Sequence, residues 1–220
     1  MLRMTLNKDD LNNSDYWIGP QPDMSNKPIV TKHPSGGSSE VLKIYIWNDG
    51  VRESDKDNSI TYVYKNIYII PKGVKTRIAT PDGSPILPTS SYISVEDASK
   101  YNPGTKLLVT DNLGHYEEVW VRDIQSNVLV VDRAKNGTIA LTLPNTSWVE
   151  AKVDHVYLSL SGNDGSWIQG QSLFFGDILD VNIPYVFYFK ITTQALKTQI
   201  KLDTYLQLSF DEYPQITFNF

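Results

Sequence analysis

Apolar and polar side chains alternate with a period of two in the longest patterned segments of this chain. The clearest example lies near the carboxyl terminus, where the positions on one face are Ile200, Leu202, Thr204, Leu206, Leu208 and Phe210. Residues 41–47 repeat the pattern and run into the turn residues Asn48-Asp49-Gly50. Since neighbouring side chains of a β-strand point to opposite faces of a sheet, these segments predict strands with one buried face.

Short segments of this kind recur along the chain. They predict about a dozen strands, separated by Gly, Pro and Asn turns at the spacing typical of β-sandwiches. Hydrophobic residues make up 40% of the sequence, which is enough for a packed core. A single helical turn is predicted at 94–101, where Ser94 can cap and Asp97 follows in the capping-box position. We therefore predict an all-β protein, with Ig-like or jelly-roll-type β-sandwich portions and a small β-module inserted or intervening between them.

Changes in composition divide the chain into four predicted parts. Residues 1–40 are polar and rich in Pro, Gly and Ser, which predicts an extended amino-terminal arm or linker. Two behaviours of this arm remain open: a free terminus, or a segment that orders against a neighbouring subunit with Tyr16 and Trp17 as anchors. The other parts are a β-sandwich part at 41–91, the small β-module at 92–145 and a second β-sandwich part at 146–220.

Composition also excludes several functional classes. The chain has no Cys, so disulfides, thiolate metal sites and cysteine nucleophiles are impossible. Its net charge of −5 provides no basic surface of the kind that general nucleic-acid binding requires. No segment approaches the roughly 18 apolar residues of a membrane-spanning helix, and residues 1–20 lack the apolar run of a signal peptide. We expect neither a membrane span nor general nucleic-acid binding.

The sequence contains no recognisable pattern of catalytic or metal-binding residues. Glu117 and Glu118 are the most tempting pair of carboxylates, but adjacent strand residues point to opposite faces, so we interpret them as part of a solvated strand. The three His residues lack the spacing of metal ligands. The segment 55–58 lacks the Gly and the distal Glu of a calcium loop. We predict no catalytic residue, no metal, no cofactor and a protein that is not an enzyme.

Tryptophan side chains are the best candidates for a contact surface, because aromatic residues dominate protein interfaces and also stack on sugars. The candidates are Trp47, Trp120 and Trp167. Trp47 and Trp120 are predicted to lie on the face opposite the aliphatic residues of their strands. Three alternatives remain open for this face: it is covered by a second layer, it contacts another protein, or it forms a sugar-binding platform.

Residues 92–143 contain an ordered series of short motifs. Pro103-Gly104 forms a turn before a strand, residues 117–121 have a Glu-x-Val-x-Val pattern, and residues 131–138 have a Val-x-Arg-x-x-x-Gly-Thr pattern. In this order and spacing they resemble a small β-module of bacteriophage tail, neck and baseplate proteins. Residues 166–190 look like the sandwich portion of such proteins. One departure is visible, since the His that often follows Gly-Thr in that family is replaced by Leu-Thr-Leu.

The resemblance implies an architectural role for Gly104, Arg133, Gly137 and Thr138, with Arg133 bonding carbonyl groups of the closing turn. It implies a non-enzymatic structural subunit of a phage virion that acts through protein–protein contacts. We therefore expect other virion structural proteins as partners, a homo-oligomer within a ring or lattice, and localisation in a virion assembled in the host cytoplasm. The alternative is a carbohydrate-binding host-recognition module of a phage or bacterial surface protein. A depolymerase is a third hypothesis and requires polysaccharide turnover.

Overall fold

The computed structural model describes residues 2–10, 37–50, 61–193 and 204–215. These residues form antiparallel sheets and no α-helix, so the all-β prediction is confirmed. The candidate anchors Tyr16 and Trp17 and the segment 55–58 lie outside the described residues.

The described residues form fifteen strands and one 3₁₀ turn at Lys8–Asp10. In chain order the strands are β1 Leu2–Thr5, β2 Gly37–Ser38, β3 Leu42–Asn48, β4 Thr61–Gly73, β5 Lys75–Arg77, β6 Tyr92–Ser94, β7 Lys106–Thr110, β8 Tyr116–Gln125, β9 Val128–Lys135, β10 Trp148–Ala151, β11 Val156–Ser159, β12 Ile168–Gln169, β13 Leu173–Ile178, β14 Tyr185–Thr193 and β15 Thr204–Gln215. None of the described residues forms a helix long and apolar enough to cross a membrane.

The chain divides into two compact units. The first consists of Met1–Pro71, Asp154–Leu196 and Leu206–Phe220, and the second of Lys72–Val153 with Lys197–Tyr205. The main segment of the second unit is therefore longer at both ends than the β-module predicted at 92–145. The reason is strand pairing, since β10 pairs with both β5 and β7 and so joins residues on both sides of that predicted range.

The first unit contains two sheets. One has the strand order β1-β3-β14-β11-β12, with β2 also paired to β14, and the other has the order β13-β4-β15. Ile44 pairs with the buried Phe187 in the first sheet. Phe175 of the second sheet meets Phe187 edge-on, with ring centroids 6.4 Å apart. Aromatic contacts therefore join the two sheets, as in a β-sandwich.

The amino-terminal residues of the predicted arm are part of the first sheet. Leu2–Thr5 pairs antiparallel with β3, with Leu2 opposite Asn48 and Met4 opposite Ile46. Leu2 and Met4 are buried, because alternate residues of this short strand reach the apolar face of the sheet. The described start of the chain is thus a strand rather than an extended arm.

The second unit is a six-stranded antiparallel sheet in the order β5-β10-β7-β8-β9-β6. The two outer strands of this sheet, β5 and β6, also meet each other just beyond their ends, where Ile78 and Val95 form an antiparallel β-bridge. The Ala79 amide donates to the Ser94 carbonyl over 3.0 Å, and the Glu96 amide donates to the Arg77 carbonyl over 2.9 Å. The sheet therefore closes on itself. Its interior is filled by aliphatic side chains, among them Ile78, Ile93, Val95, Leu107, Val109, Val119, Val121, Leu129, Val131 and Val149.

These pairings correct the predicted helical turn at 94–101. Ser94 ends β6 and Val95 forms the bridge that closes the sheet. The Asp97 carboxylate accepts a hydrogen bond from the Ser99 amide over 2.8 Å, which makes a local turn instead of a helix cap. Strand pairing with distant residues therefore overrides the local capping pattern.

The closed sheet has two different ends. At its lower end the chain enters before β5 and leaves after β10. Its upper end is formed by the loops 79–91, 111–115 and 136–147. There Ile86 and Leu143 exchange two backbone hydrogen bonds of 2.9 Å, and both side chains belong to the core. Apolar side chains therefore fill the upper end of the closed sheet.

Candidate functional site

A buried ion pair lies at the upper end of the closed sheet. Glu117 of β8 is opposite Val109, on the face that points into the core, and its side chain is 0% exposed. The Arg133 guanidinium binds it with both branches: Nε donates to Oε1 over 2.7 Å and Nη2 donates to Oε2 over 2.6 Å. Arg133 itself is 8% exposed. This two-branched geometry is the strongest form of an arginine–carboxylate contact.

The same pair holds the loops of the upper end in place. Arg133 Nη1 donates to the carbonyl groups of Leu87 and Ser90, each over 3.3 Å, and Nη2 donates to the Leu141 carbonyl over 2.7 Å. Glu117 in turn accepts the amides of Ala134 and Leu141 over 2.8 Å and 2.9 Å. Two loops that are distant in sequence are thus fastened to one ion pair.

The interpretation of Glu117 and Glu118 as solvated strand residues is wrong. Both side chains are buried. They have different partners, because neighbouring residues of β8 point to opposite faces of the sheet. The Glu118 carboxylate accepts hydrogen bonds from Lys152 Nζ over 2.6 Å, Trp120 Nε1 over 3.0 Å and Asn136 Nδ2 over 2.5 Å. The paired cations are supplied by other strands and loops, so the local pattern could not indicate that either carboxylate is covered.

We predict that Glu118 makes the second unit sensitive to acid. Burial acts to raise the pKa of Glu118, but hydrogen bonds from Lys152, Trp120 and Asn136 outweigh burial and hold that pKa below its ordinary value of 4.5. Because the pKa is lower in the folded state, this stabilisation is complete above about pH 4.5 and is lost as the pH falls through the folded-state pKa. Glu118→Gln should lower the free energy of unfolding by about 1–2 kcal/mol at neutral pH.

Urea unfolding of wild type and Glu118→Gln at pH 7 and pH 3 measures this effect. The difference between the two proteins should shrink in acid, because below pH 4.5 the carboxyl of the unfolded wild-type chain takes up a proton that the folded carboxylate resists. Glu150→Gln, the same exchange at a half-buried position on β10, is the control. An equal difference at both pH values would contradict the role assigned to Glu118.

The turn residues predicted as architectural lie at the ends of strands in the second unit. Gly104 and Gly137 have φ angles of +91° and +79°, in the left-handed region that glycine adopts without strain. The Thr138 hydroxyl accepts the Glu118 amide over 3.0 Å and donates to the Lys135 carbonyl over 2.8 Å. The Gly-Thr turn is thereby tied to β8, next to the ion pair of Arg133.

The candidate contact residue Trp47 belongs to the interior of the first unit. Its side chain is only 1% exposed, so it offers no surface to a partner or a sugar. This finding corrects its assignment as a contact residue and favours the alternative in which both faces of β3 are covered. The period-two pattern of a strand gives the face on which an aromatic side chain lies, but it is the same whether that face is covered or exposed.

Trp120 and Trp167 reach the surface, and each has a cation near its ring. Trp120 is 37% exposed, with Lys135 Nζ 5.2 Å and Lys106 Nζ 6.0 Å from its ring centroid. Lys190 Nζ lies 4.1 Å from the centroid of Trp167. Cations at these distances are attracted to the negative face of an aromatic ring. A sugar that stacked on either ring would compete with these lysines.

Trp148 of β10 also has cations near its ring. Arg77 Cζ and Lys75 Nζ, both from the neighbouring strand β5, lie 4.8 Å and 5.0 Å from its ring centroid. Its side chain is half-buried, so the ring is neither a free platform nor a core residue. In the second unit, cations therefore accompany both Trp120 and Trp148.

No three His, Asp or Glu side chains within the described ranges converge in a way that could hold a metal ion. His115 pairs with Asp111 at the turn between β7 and β8, with Nδ1 and Oδ2 2.8 Å apart, and its side chain is exposed. Burial acts to raise the pKa of Asp111, but hydrogen bonds from His115 and Leu113 hold it below its ordinary range. Comparison of the chain with protein-family models, with curated proteins and with solved structures finds no match.

Proposed function

We propose that this chain is a non-enzymatic structural subunit of a bacteriophage virion, placed in the tail, neck or baseplate. It acts through protein–protein contacts with copies of itself and with other virion structural proteins. The observation that carries the proposal is the Glu117–Arg133 pair, which joins the Glu-x-Val-x-Val motif to the Val-x-Arg-x-x-x-Gly-Thr motif. These are two of the three patterns on which the resemblance to phage proteins depends.

The contacts of this motif are directed inward. Each oxygen of Glu117 accepts hydrogen bonds from Arg133 and from a backbone amide. The remaining N–H groups of Arg133 donate hydrogen bonds to the carbonyl groups of Leu87, Ser90 and Leu141. A catalytic carboxylate or arginine has to reach a substrate, whereas these two side chains hold loops in a fixed position. This arrangement supports an architectural role for the motif.

An exposed aromatic pair supplies surface for assembly contacts. On the three-stranded sheet of the first unit, Tyr68 and Phe174 are 39% and 51% exposed, and their ring centroids lie 5.1 Å apart. Aromatic side chains fixed on neighbouring strands cost little conformational entropy when they are buried by a partner. Such a pair is well suited to the protein–protein contacts that the proposal requires.

Mass spectrometry of purified particles tests the proposed function. Virions of the phage whose genome encodes this sequence are banded on a density gradient, and the copy number of the chain is measured relative to the other particle proteins. We expect a fixed copy number through the particle band. A chain that stays in the soluble fraction with a non-structural protein of the same lysate would overturn the proposal.

The alternative function is carbohydrate binding, and the exposure of Trp120 on a closed sheet is the observation that favours it. Wild type, Trp120→Ala and Trp167→Ala are compared on a glycan array, with urea unfolding as the check on folding. Because lysines lie near both rings, we expect no glycan to be bound by wild type. A glycan that binds wild type but not Trp120→Ala, at unchanged unfolding midpoint, would favour the alternative instead.

A further inference from the structure

A lysine and an asparagine share one buried carboxylate in the second unit. Lys152 Nζ donates to Glu118 Oε2 over 2.6 Å, and Asn136 Nδ2 donates to Glu118 Oε1 over 2.5 Å. The Glu118 side chain is 5% exposed and the Lys152 side chain is 24% exposed. We call these three residues the triad. It brings an amine, a carboxamide and a carboxylate together at one place.

The fold supplies the triad from three separate parts of the closed sheet. Glu118 lies on β8, Asn136 lies in the turn after β9, and Lys152 directly follows β10. The Lys152 amide donates to the Lys106 carbonyl over 2.8 Å, which continues the pairing of β10 with β7. The Thr138 hydroxyl ties the turn that contains Asn136 to the Glu118 amide. Groups positioned in this way avoid most of the entropic cost of meeting in solution.

These side chains have the chemistry that amide transfer requires. The amine of a lysine is a nucleophile once it has lost its proton, and Cγ of an asparagine is an acyl carbon from which ammonia can depart. Glu118 contacts both nitrogens, so one carboxylate can take a proton from the lysine and deliver a proton to the departing nitrogen. In the resting ion pair the proton lies on Lys152, and the hydrogen bond of 2.6 Å is the path along which it moves.

We propose that Lys152 and Asn136 form an intramolecular isopeptide bond, with Glu118 as the proton carrier. Lys152 Nζ gives a proton to Glu118 and attacks Asn136 Cγ, so a new Nζ–Cγ bond forms. Glu118 gives its proton to Nδ2 and accepts one from the attacking Nζ. The Cγ–Nδ2 bond breaks, and ammonia departs and takes up the proton left on Glu118. The step consumes no other reactant, and each chain reacts once, so it is a self-modification rather than enzyme turnover.

The proposed bond joins strands that are not neighbours. In the sheet order β5-β10-β7-β8-β9-β6, the strands β7 and β8 lie between β10 and β9. A covalent bond from the end of β10 to the turn after β9 therefore spans two strands of the closed sheet. Such a cross-link restricts the unfolded chain in the same way as a disulfide, which this sequence without Cys cannot form. The inference goes beyond the proposed function and does not depend on it.

Mass spectrometry of the purified, folded full chain tests the bond. We expect wild type to lose the mass of one ammonia during incubation at neutral pH. A protease that cleaves after Glu150 separates Asn136 from Lys152, so the two resulting peptides stay joined only where the bond has formed. Cyclisation of Asn136 onto Gly137 also releases ammonia, but it leaves these peptides separate.

Two variants and a matched control identify the reacting groups. Lys152→Arg keeps a cation beside Glu118 but replaces the amine by a guanidinium that stays protonated and does not attack. Lys135→Arg is the same exchange at the end of β9 and is the control. We expect joined peptides in wild type and control and none in Lys152→Arg. Glu118→Gln should slow the bond by roughly 100-fold or more. Circular dichroism shows that each variant folds.

Three results would overturn the inference. The first is a folded wild type that keeps its full mass and yields only separate peptides. The second is a Lys152→Arg chain that still yields the joined peptides. The third is a Glu118→Gln chain that forms the bond as fast as wild type, which removes Glu118 from the reaction. The copy number of the chain in purified particles is measured independently, so none of these results bears on the proposed function.

Discussion

Replacing Arg133 by Met is expected to lower the free energy of unfolding of the second unit by about 3–5 kcal/mol, the largest effect among our predictions. The substitution keeps much of the side-chain volume but leaves the Glu117 carboxylate, 0% exposed, without its cation. It also removes the donors that bind the carbonyl groups of Leu87, Ser90 and Leu141. Urea unfolding followed by peptide-resolved hydrogen exchange measures the loss and locates it in the second unit.

An exposed arginine of the same sheet provides the control. Arg122 pairs with Asp132, but its side chain is 67% exposed, so Arg122→Met should lower the free energy of unfolding far less than Arg133→Met does. Adding Glu117→Leu to Arg133→Met should recover part of the lost stability, because it removes the unpaired charge. Equal effects of Arg133→Met and Arg122→Met would contradict the buried role of Arg133.

Replacing Gly73 by Ala is expected to lower the free energy of unfolding by about 3 kcal/mol, the second largest effect. A Cβ on Gly73 would lie 1.8 Å from the carbonyl oxygen of Ala151 and 2.7 Å from its carbonyl carbon. Ala151 pairs with Leu107 and its amide bonds the Val74 carbonyl over 3.0 Å, so that backbone cannot move aside cheaply. The extra methyl group must therefore separate β10 from the end of β4. Urea unfolding measures the loss.

Gly114→Ala separates this clash from the general effect of replacing glycine. Gly114 has a φ angle of +85° and no atom within 4 Å of its added Cβ, so its cost comes from backbone conformation, about 1 kcal/mol. Gly73→Ala should be clearly the less stable of the two variants. If the two are equally stable, close approach of the β10 backbone is not what requires glycine at position 73.

The buried ion pair suggests why the second unit can present exposed hydrophobic residues without losing order. Leu87 lies in one of the loops that Arg133 holds, and Ile139 lies two residues before Leu141, whose amide and carbonyl both bind the pair. Removing Arg133 should therefore weaken both the fold of this end and any contact made there. Peptides covering 85–92 and 137–143 should exchange faster in Arg133→Met than in wild type.

Local sequence determined the class of the fold. Alternation in residues 41–47 and near the carboxyl terminus predicted strands, and β3 and β15 lie in these two segments. It also predicted correctly that Glu117 and Glu118 point to different faces, since that follows from strand geometry alone. The helical turn predicted at 94–101 was wrong, because pairing of Val95 with Ile78 outweighs a local cap.

Tertiary structure alone decided what covers each side chain. Glu117 is neutralised by Arg133, 16 residues away, and Glu118 by Lys152, 34 residues away, so both carboxylates are buried where the local pattern predicted solvent. Trp47 and Trp120 alternate with aliphatic residues in the same manner, yet one is 1% and the other 37% exposed. Periodicity fixes the direction of a side chain relative to its own strand. Closure of the sheet and long-range pairing determine whether water, a cation or another strand meets it there.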